Sequence, residues 1–226
     1  FLAWLSSRSI KLSIGTAISF FLIGYFGMWK DTMSTMAIIS VATLICLILG
    51  APIGILMARS QRLTNILSPV LDMMQTIPTF VYLIPIIMLL GIGKVPGLLA
   101  VCVYAIPPIV RLTNLGIREV DKRFVEAAKA LGIKKRVILF KIEIPLALPS
   151  IMTGVNQTIM MALAMVVIAS MIGVSGLGVP ILRSISNQFL ALGLMNGLAI
   201  VALAIIFDRI SQNYARRIQK HKNAKR

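Results

Sequence analysis

Polar residues in this chain fall in short clusters, and the stretches between them are almost wholly apolar. A helix that crosses the hydrocarbon core of a bilayer needs about 20 mostly apolar residues. Runs free of Asp, Glu, Lys and Arg cover Leu12–Trp29, Thr32–Ala58, Met73–Gly93 and Val95–Val110. The last of these continues past Arg111 through the uncharged Leu112–Ile117. The run Ile144–Leu182 is too long for one span, and Gly173, Gly176, Gly178 and Pro180 break it to leave Ser150–Ile172. Leu190–Phe207 follows. The pattern predicts an all-α integral membrane protein with about six transmembrane helices, forming a single domain over 1–226.

Composition agrees with that reading. Of the 226 residues, 58% are hydrophobic and 13% charged, whereas a soluble domain carries about 25% charged residues. The net charge of +16 would suggest a nucleic-acid partner in a soluble protein. Here its distribution points to membrane orientation instead. With six spans and both termini cytoplasmic, 20 of the 23 basic residues lie inside, and only Lys30, Lys94 and Arg183 lie outside. That asymmetry is the positive-inside signal. The inside set includes Arg8 and Lys11, Arg59 and Arg62, the cluster from Arg111 to Lys141, and a basic cytoplasmic tail over 208–226 that holds His221. Tyr25, Phe26 and Trp29 close the first span as an interfacial aromatic cluster. Cys46 and Cys102 sit in apolar runs and read as small buried hydrophobes. The chain begins at Phe1 without a methionine, which predicts that the native start lies upstream.

Pro52, Pro78, Pro85, Pro107 and Pro108 fall within or at the ends of apolar runs. Each removes a helix hydrogen bond, which in lipid is tolerated only against protein or a cavity. They either kink helices for packing or bend the third and fourth spans around a transport path. Asn156, Gln157 and Thr158 form the most polar intramembrane set; such groups bond neighbouring helices or line a path. Gly50–Gly54 and Gly193–Gly197 carry small-residue packing spacing. Gly91-Ile92-Gly93-Lys94 lacks the first glycine of a phosphate-binding loop, so no nucleotide site of that kind is present.

The most charged stretch, Asp121–Pro149, separates two apolar blocks and is predicted to be a cytoplasmic loop over 119–149. Val120, Phe124, Ala127, Ala128 and Leu131 recur at helical spacing, with Lys122, Arg123, Glu126 and Lys129 on the flank. Asp121 is placed to cap this short helix and Gly132 to end it. A second short segment, Lys134–Ile142, precedes Pro145 and Pro149, which are expected to re-aim the chain. An amphipathic helix of this kind fits either an anionic lipid surface or the groove of a partner protein.

Glu126-Ala127-Ala128, three residues, Gly132, nine residues, then Ile142-x-Ile144-Pro145 matches the EAA motif of ABC importer permeases, with Ile144 in place of the family's leucine. Met74–Pro85 and Gly154–Thr158 flank it, and together with Val166–Ile172 and Gly176-Leu177-Gly178 they resemble the permease subunit of bacterial glycine betaine/proline betaine ABC importers. The resemblance runs from about Thr32 to Arg209. It implies a type I importer permease (MetI-like) fold in the bacterial inner membrane and a permease homodimer. It also implies two copies of an ABC ATPase subunit and a periplasmic or lipid-anchored substrate-binding protein. The chain then needs no cofactor of its own, since ATP binds the partner, and it is no enzyme. Glu126, Ala127, Ala128, Gly132, Ile142 and Pro145 become the ATPase-coupling residues. Tyr82, Tyr104, Asn156 and Gln157 become candidates for contacts with a small quaternary ammonium or methylamine osmolyte, because aromatic faces bind such cations.

Overall fold

The computed structural model describes residues 10–223, and side chains within 13–213. Arg8, Lys11, His221 and the end of the basic tail therefore lie outside the described side chains. Eleven α-helices follow one another among the described residues: α1 (Ile10–Tyr25), α2 (Trp29–Arg59), α3 (Gln61–Thr76), α4 (Thr79–Leu90), α5 (Lys94–Ala105), α6 (Pro107–Arg118), α7 (Lys122–Ala130), α8 (Lys135–Ile138), α9 (Ile144–Ala169), α10 (Gly178–Asn187) and α11 (Leu190–Asn223). Four segments are long and apolar enough to cross a membrane: Trp29–Arg59, Lys94–Arg118, Lys135–Ile172 and Leu190–Asn213. The bent pair α3 and α4 makes a fifth if counted as one span, and α1 is a shorter apolar helix.

Three expected boundaries are corrected. The third predicted span, Met73–Gly93, is not one helix: α3 and α4 meet at an angle of 101°. Pro78 causes the break. A residue before proline is pushed out of the helical region, and Ile77 is extended at φ −67° and ψ 127°. The hydroxyl of Tyr82 on α4 donates to the carbonyl of Met74 on α3, bracing the bend. The first predicted span ends early, at Tyr25, because the chain turns through Gly27 and restarts at Trp29. The predicted aromatic cluster survives across that turn, with Phe20 against Trp29 and Tyr25 against Phe26, both edge-to-face.

The third correction concerns Pro145 and Pro149. They do not re-aim the chain; it runs helically from Lys135 to Ile172. A widened π turn, Leu139–Glu143, precedes Pro145, and the Ile144 N–H reaches back to the Leu139 carbonyl. Such a turn loosens the backbone ladder and gives the proline ring room. Pro145 then falls in the first turn of α9, where a proline is well tolerated, and Pro149 follows one turn later.

The centre of the bundle is the crossing of α2, α6 and α9. Gly50 and Gly54 of α2 lie directly against Ile109, Val110 and Thr113 of α6. Gly116 of α6 lies against Ser150, and Gly154 of α9 against Ile109. Small residues let helix backbones approach closely where lipid supplies no hydrophobic drive. Gly50–Gly54 therefore performs as its spacing predicts; in Gly193–Gly197 only Gly193 meets a neighbour, Ser184. Around this crossing, Ala42, Cys46, Ala100, Ala105, Ala162 and Ala169 are completely buried or nearly so. Cys46 and Cys102 are buried and free, the Cys46 thiol donating to the Cys102 carbonyl at 3.4 Å. Many large apolar side chains, such as Leu44, Ile48, Met88 and Val201, face outward, as a surface solvated by lipid requires.

Candidate functional site

The charged stretch folds as its residues dictate. Asp121 caps α7, its carboxylate accepting from the Arg123 N–H at 3.0 Å. The Arg123 side chain, bonded to the same carboxylate, holds the Asp121 carboxyl below the usual carboxylate range. A depressed pKa means the cap is intact above the ordinary carboxylate value and is lost as pH falls through the lowered one. At the other end, Gly132 adopts φ +73°. Its N–H donates to Lys129 O at 2.9 Å, and the Ile133 N–H donates to Ala128 O at 3.1 Å. This is a Schellman closure, which needs a left-handed residue where Gly132 stands.

The expected apolar stripe divides. Ala128 turns into the protein, whereas Ala127 is exposed, and Phe124 and Leu131 are 45% and 78% exposed. Glu126 is exposed between Lys122, Arg123 and Lys129, while Ile142 and Pro145 are half-buried at the base. A short rigid helix thus presents large apolar side chains on a strongly charged loop.

Two groups that sequence reasoning missed tie this loop to the bundle. Arg59, in the last turn of α2, forms an ion pair with Glu143 in the π turn. The Glu143 side chain is only 8% exposed, and that of Arg59 39%. Arg118, at the end of α6, bonds the carbonyl of Met57 at 3.0 Å, the Thr64 hydroxyl at 2.8 Å and Gln61 at 2.6 Å. One guanidinium therefore ties the end of α2, the start of α3 and α6 together. The burial difference makes the Arg59–Glu143 pair asymmetric. Arg59→Ala strands a buried carboxylate and is expected to cost on the order of 2–3 kcal/mol of stability. Glu143→Gln leaves an arginine that reaches water and is expected to cost about 1 kcal/mol. Thermal unfolding of the two variants in detergent measures the difference, and equal losses would refute it.

A cavity of about 430 Å³ opens between α3, α6 and α9. Ser68, Asp72 and Gln75 of α3 line it together with Arg111 and Asn114 of α6 and Gln157 of α9. Arg111 donates to Asp72 across the cavity. Of the four residues expected on a translocation path, only Gln157 lines this space. Asn156 is turned round α9 and donates to Asp208 of α11 at 2.8 Å. Tyr82 and Tyr104 meet each other edge-to-face at 5.8 Å, linking α4 to α5. The structure thus does not gather the four. A signal for the missed pair was present: Arg111 is the only charge between Lys94 and Arg118.

Comparison with known proteins covers the same helices. Residues 50–220 match the family model described as "Binding-protein-dependent transport system inner membrane component". The glycine betaine/proline betaine transport system permease protein ProW of Escherichia coli (strain K12) is 48% identical over 215 residues, covering 95% of this chain and 60% of that protein. The glycine betaine transport system permease protein OpuAB of Bacillus subtilis (strain 168) is 43% identical over 210 residues, covering 93% of this chain and 74% of that protein. The chain thus spans about three fifths of the ProW length (60%) and three quarters of OpuAB (74%). A chain of the MetNI methionine ABC transporter, in inward-facing crystal structures, superposes with a TM-score of 0.76 at 19% identity, covering 84% of this chain and 94% of that one. The shared fold is that of a MetI-like importer permease. With its membrane-length helices, its loop motif and its relatives all in agreement over one span of residues, the chain belongs to the binding-protein-dependent transport system inner membrane components.

Proposed function

We propose that this chain is the pore-forming permease of an ATP-driven importer for a small quaternary ammonium or methylamine osmolyte, of the glycine betaine and proline betaine type. Two copies of the chain enclose the path, both termini are cytoplasmic, and 119–149 is the loop through which two ATPase subunits act. ATP is bound by that partner, and a periplasmic or lipid-anchored binding protein delivers the solute. The observation that carries this reading is α7: a short, doubly capped helix on a charged loop, with Phe124 and Leu131 exposed. Its base is pinned to α2 by the Arg59–Glu143 pair. A rigid element so fixed can pass a rigid-body displacement from a docked partner to the bundle.

The solute class is supported by the glycine betaine/proline betaine permease ProW and the glycine betaine permease OpuAB, to which the chain is similar. Reconstitution tests the whole reading. Vesicles holding this chain alone are expected to take up no glycine betaine. Uptake should appear only with the ATPase subunit, the binding protein and ATP. Uptake driven by a sodium or proton gradient without ATPase would sink the proposal.

A further inference from the structure

Arg111, counted from the sequence with the cytoplasmic charges, falls instead within the membrane-length segment Lys94–Arg118, where it is the only charge between the two end residues. Intramembrane charges are costly and persist where they face a cavity or do work. The first condition is met here. Arg111 pairs with Asp72 in the polar cavity, and its Nε is buried with no acceptor among the described residues. The guanidinium therefore keeps an unspent donor while holding its partner. Asp72 is carried by α3, the first arm of the helix pair bent by 101°. The two charges thus sit on different helices, α3 and α6.

Resting on the functional reading above, we infer that Arg111 and Asp72 form a transient site for the two opposite charges of a trimethylammonium carboxylate. The cargo's carboxylate takes the place of Asp72 on Arg111, and its quaternary ammonium takes the place of Arg111 at Asp72. The exchange is neutral at each stage. The empty site is a closed ion pair and the filled site is two closed ion pairs, so neither charge is left without a partner, although both side chains are partly exposed, Arg111 37% and Asp72 61%. The guanidinium fork suits a carboxylate, and Gln75, Asn114 and Gln157 add polar partners around it. Among the described residues lining this cavity none is aromatic, so the cation is met by a carboxylate. Tyr82 and Tyr104 are engaged with each other instead. The volume of about 430 Å³ falls in the range of small-molecule sites.

The assay uses the complete transporter in vesicles and reads glycine betaine carried per ATP hydrolysed. Arg111→Gln and Asp72→Asn are each expected to lower that ratio about tenfold, the loss of one charge-assisted contact. Arg111→Lys is expected to keep most of it. The decisive variant is the double neutral, Asp72→Asn with Arg111→Gln. A pair that only braces α3 against α6 is relieved when both charges go, since no unpaired charge remains. A zwitterion site loses both contacts, so the double variant should fall at least as far as either single one. Recovery of the double variant to within about twofold of the wild type overturns the inference, as does an unchanged ratio in the single variants. Both outcomes leave ATP-driven uptake by the wild type standing. A wild type that carries no betaine overturns the functional reading and this inference with it.

Discussion

Gly54→Leu is expected to lower the yield of folded protein sharply. A Cβ at residue 54 would lie 2.6 Å from the Val110 carbonyl oxygen and 2.7 Å from Thr113 Cβ. The first contact is backbone, so no rotamer relieves it; α2 and α6 must separate. That crossing holds the centre of the bundle, where Ile39, Ile109 and Val110 are at most 1% exposed. Overpacking alone costs about 1–3 kcal/mol, and parting the helices also uncovers Thr113, a buried hydroxyl. A loss of about 3 kcal/mol lowers the folded-to-unfolded ratio more than a hundredfold and consumes much of a typical stability of 5–15 kcal/mol. Gly197→Ala is the control, because a Cβ there meets nothing within 4 Å. Gel filtration of fluorescently tagged chains in detergent reads the result: a monodisperse peak for Gly197→Ala, and aggregate or loss for Gly54→Leu. A Gly54→Leu chain with a normal peak and melting point would show that the helices do not meet this closely.

The same crossing shows how far the sequence can be read. The spans were legible because hydrophobicity and charge are local properties, and the helix α7 was legible down to its caps because Asp121 and Gly132 act on their own neighbours. What escaped depended on contacts far apart in the chain. Arg59 and Glu143 are separated by 84 positions, and each alone reads as a surface charge. The Pro78 break looked like a kink within one span, because nothing local says how far the chain turns once the helix stops. Pro145 and Pro149 looked like helix ends because a π turn has no sequence signature comparable to a cap. Asn156 and Gln157 are adjacent in sequence, yet on a helix adjacent residues point about 100° apart. One reaches Asp208 and the other the cavity. Arg111 was visible as a charge in an apolar run, but its meaning required Asp72 opposite.

Glu126→Lys should reduce ATP-driven uptake at least about thirtyfold while leaving insertion and folding intact, because the two properties rest on different contacts. Glu126 is exposed on α7, and surface substitutions of this kind usually change stability by less than about 0.5 kcal/mol. The helix itself keeps its Asp121 cap and its Gly132 closure. What changes is the face proposed to dock the ATPase. Glu126 is the only acidic side chain in Lys122–Ala130, against Lys122, Arg123 and Lys129. Reversal makes the face uniformly positive, and truncating or reversing a charge fitted to a partner typically costs 2–5 kcal/mol at an interface. Gly132→Asp should do the same by another route. The position is open, with nothing within 4 Å of an added Cβ, so the only strain on a side chain there comes from its φ of +73°. Aspartate also tolerates the left-handed region better than most side chains. It instead places a negative charge at the C-terminal end of α7, where the helix dipole disfavours it, beside the face offered to the partner. Uptake by vesicles and co-purification of the ATPase subunit with each variant separate the cases. A lipid-lying helix predicts retained ATPase binding and near-normal uptake for Glu126→Lys, since added positive charge favours an anionic surface. A docking helix predicts that both are lost together.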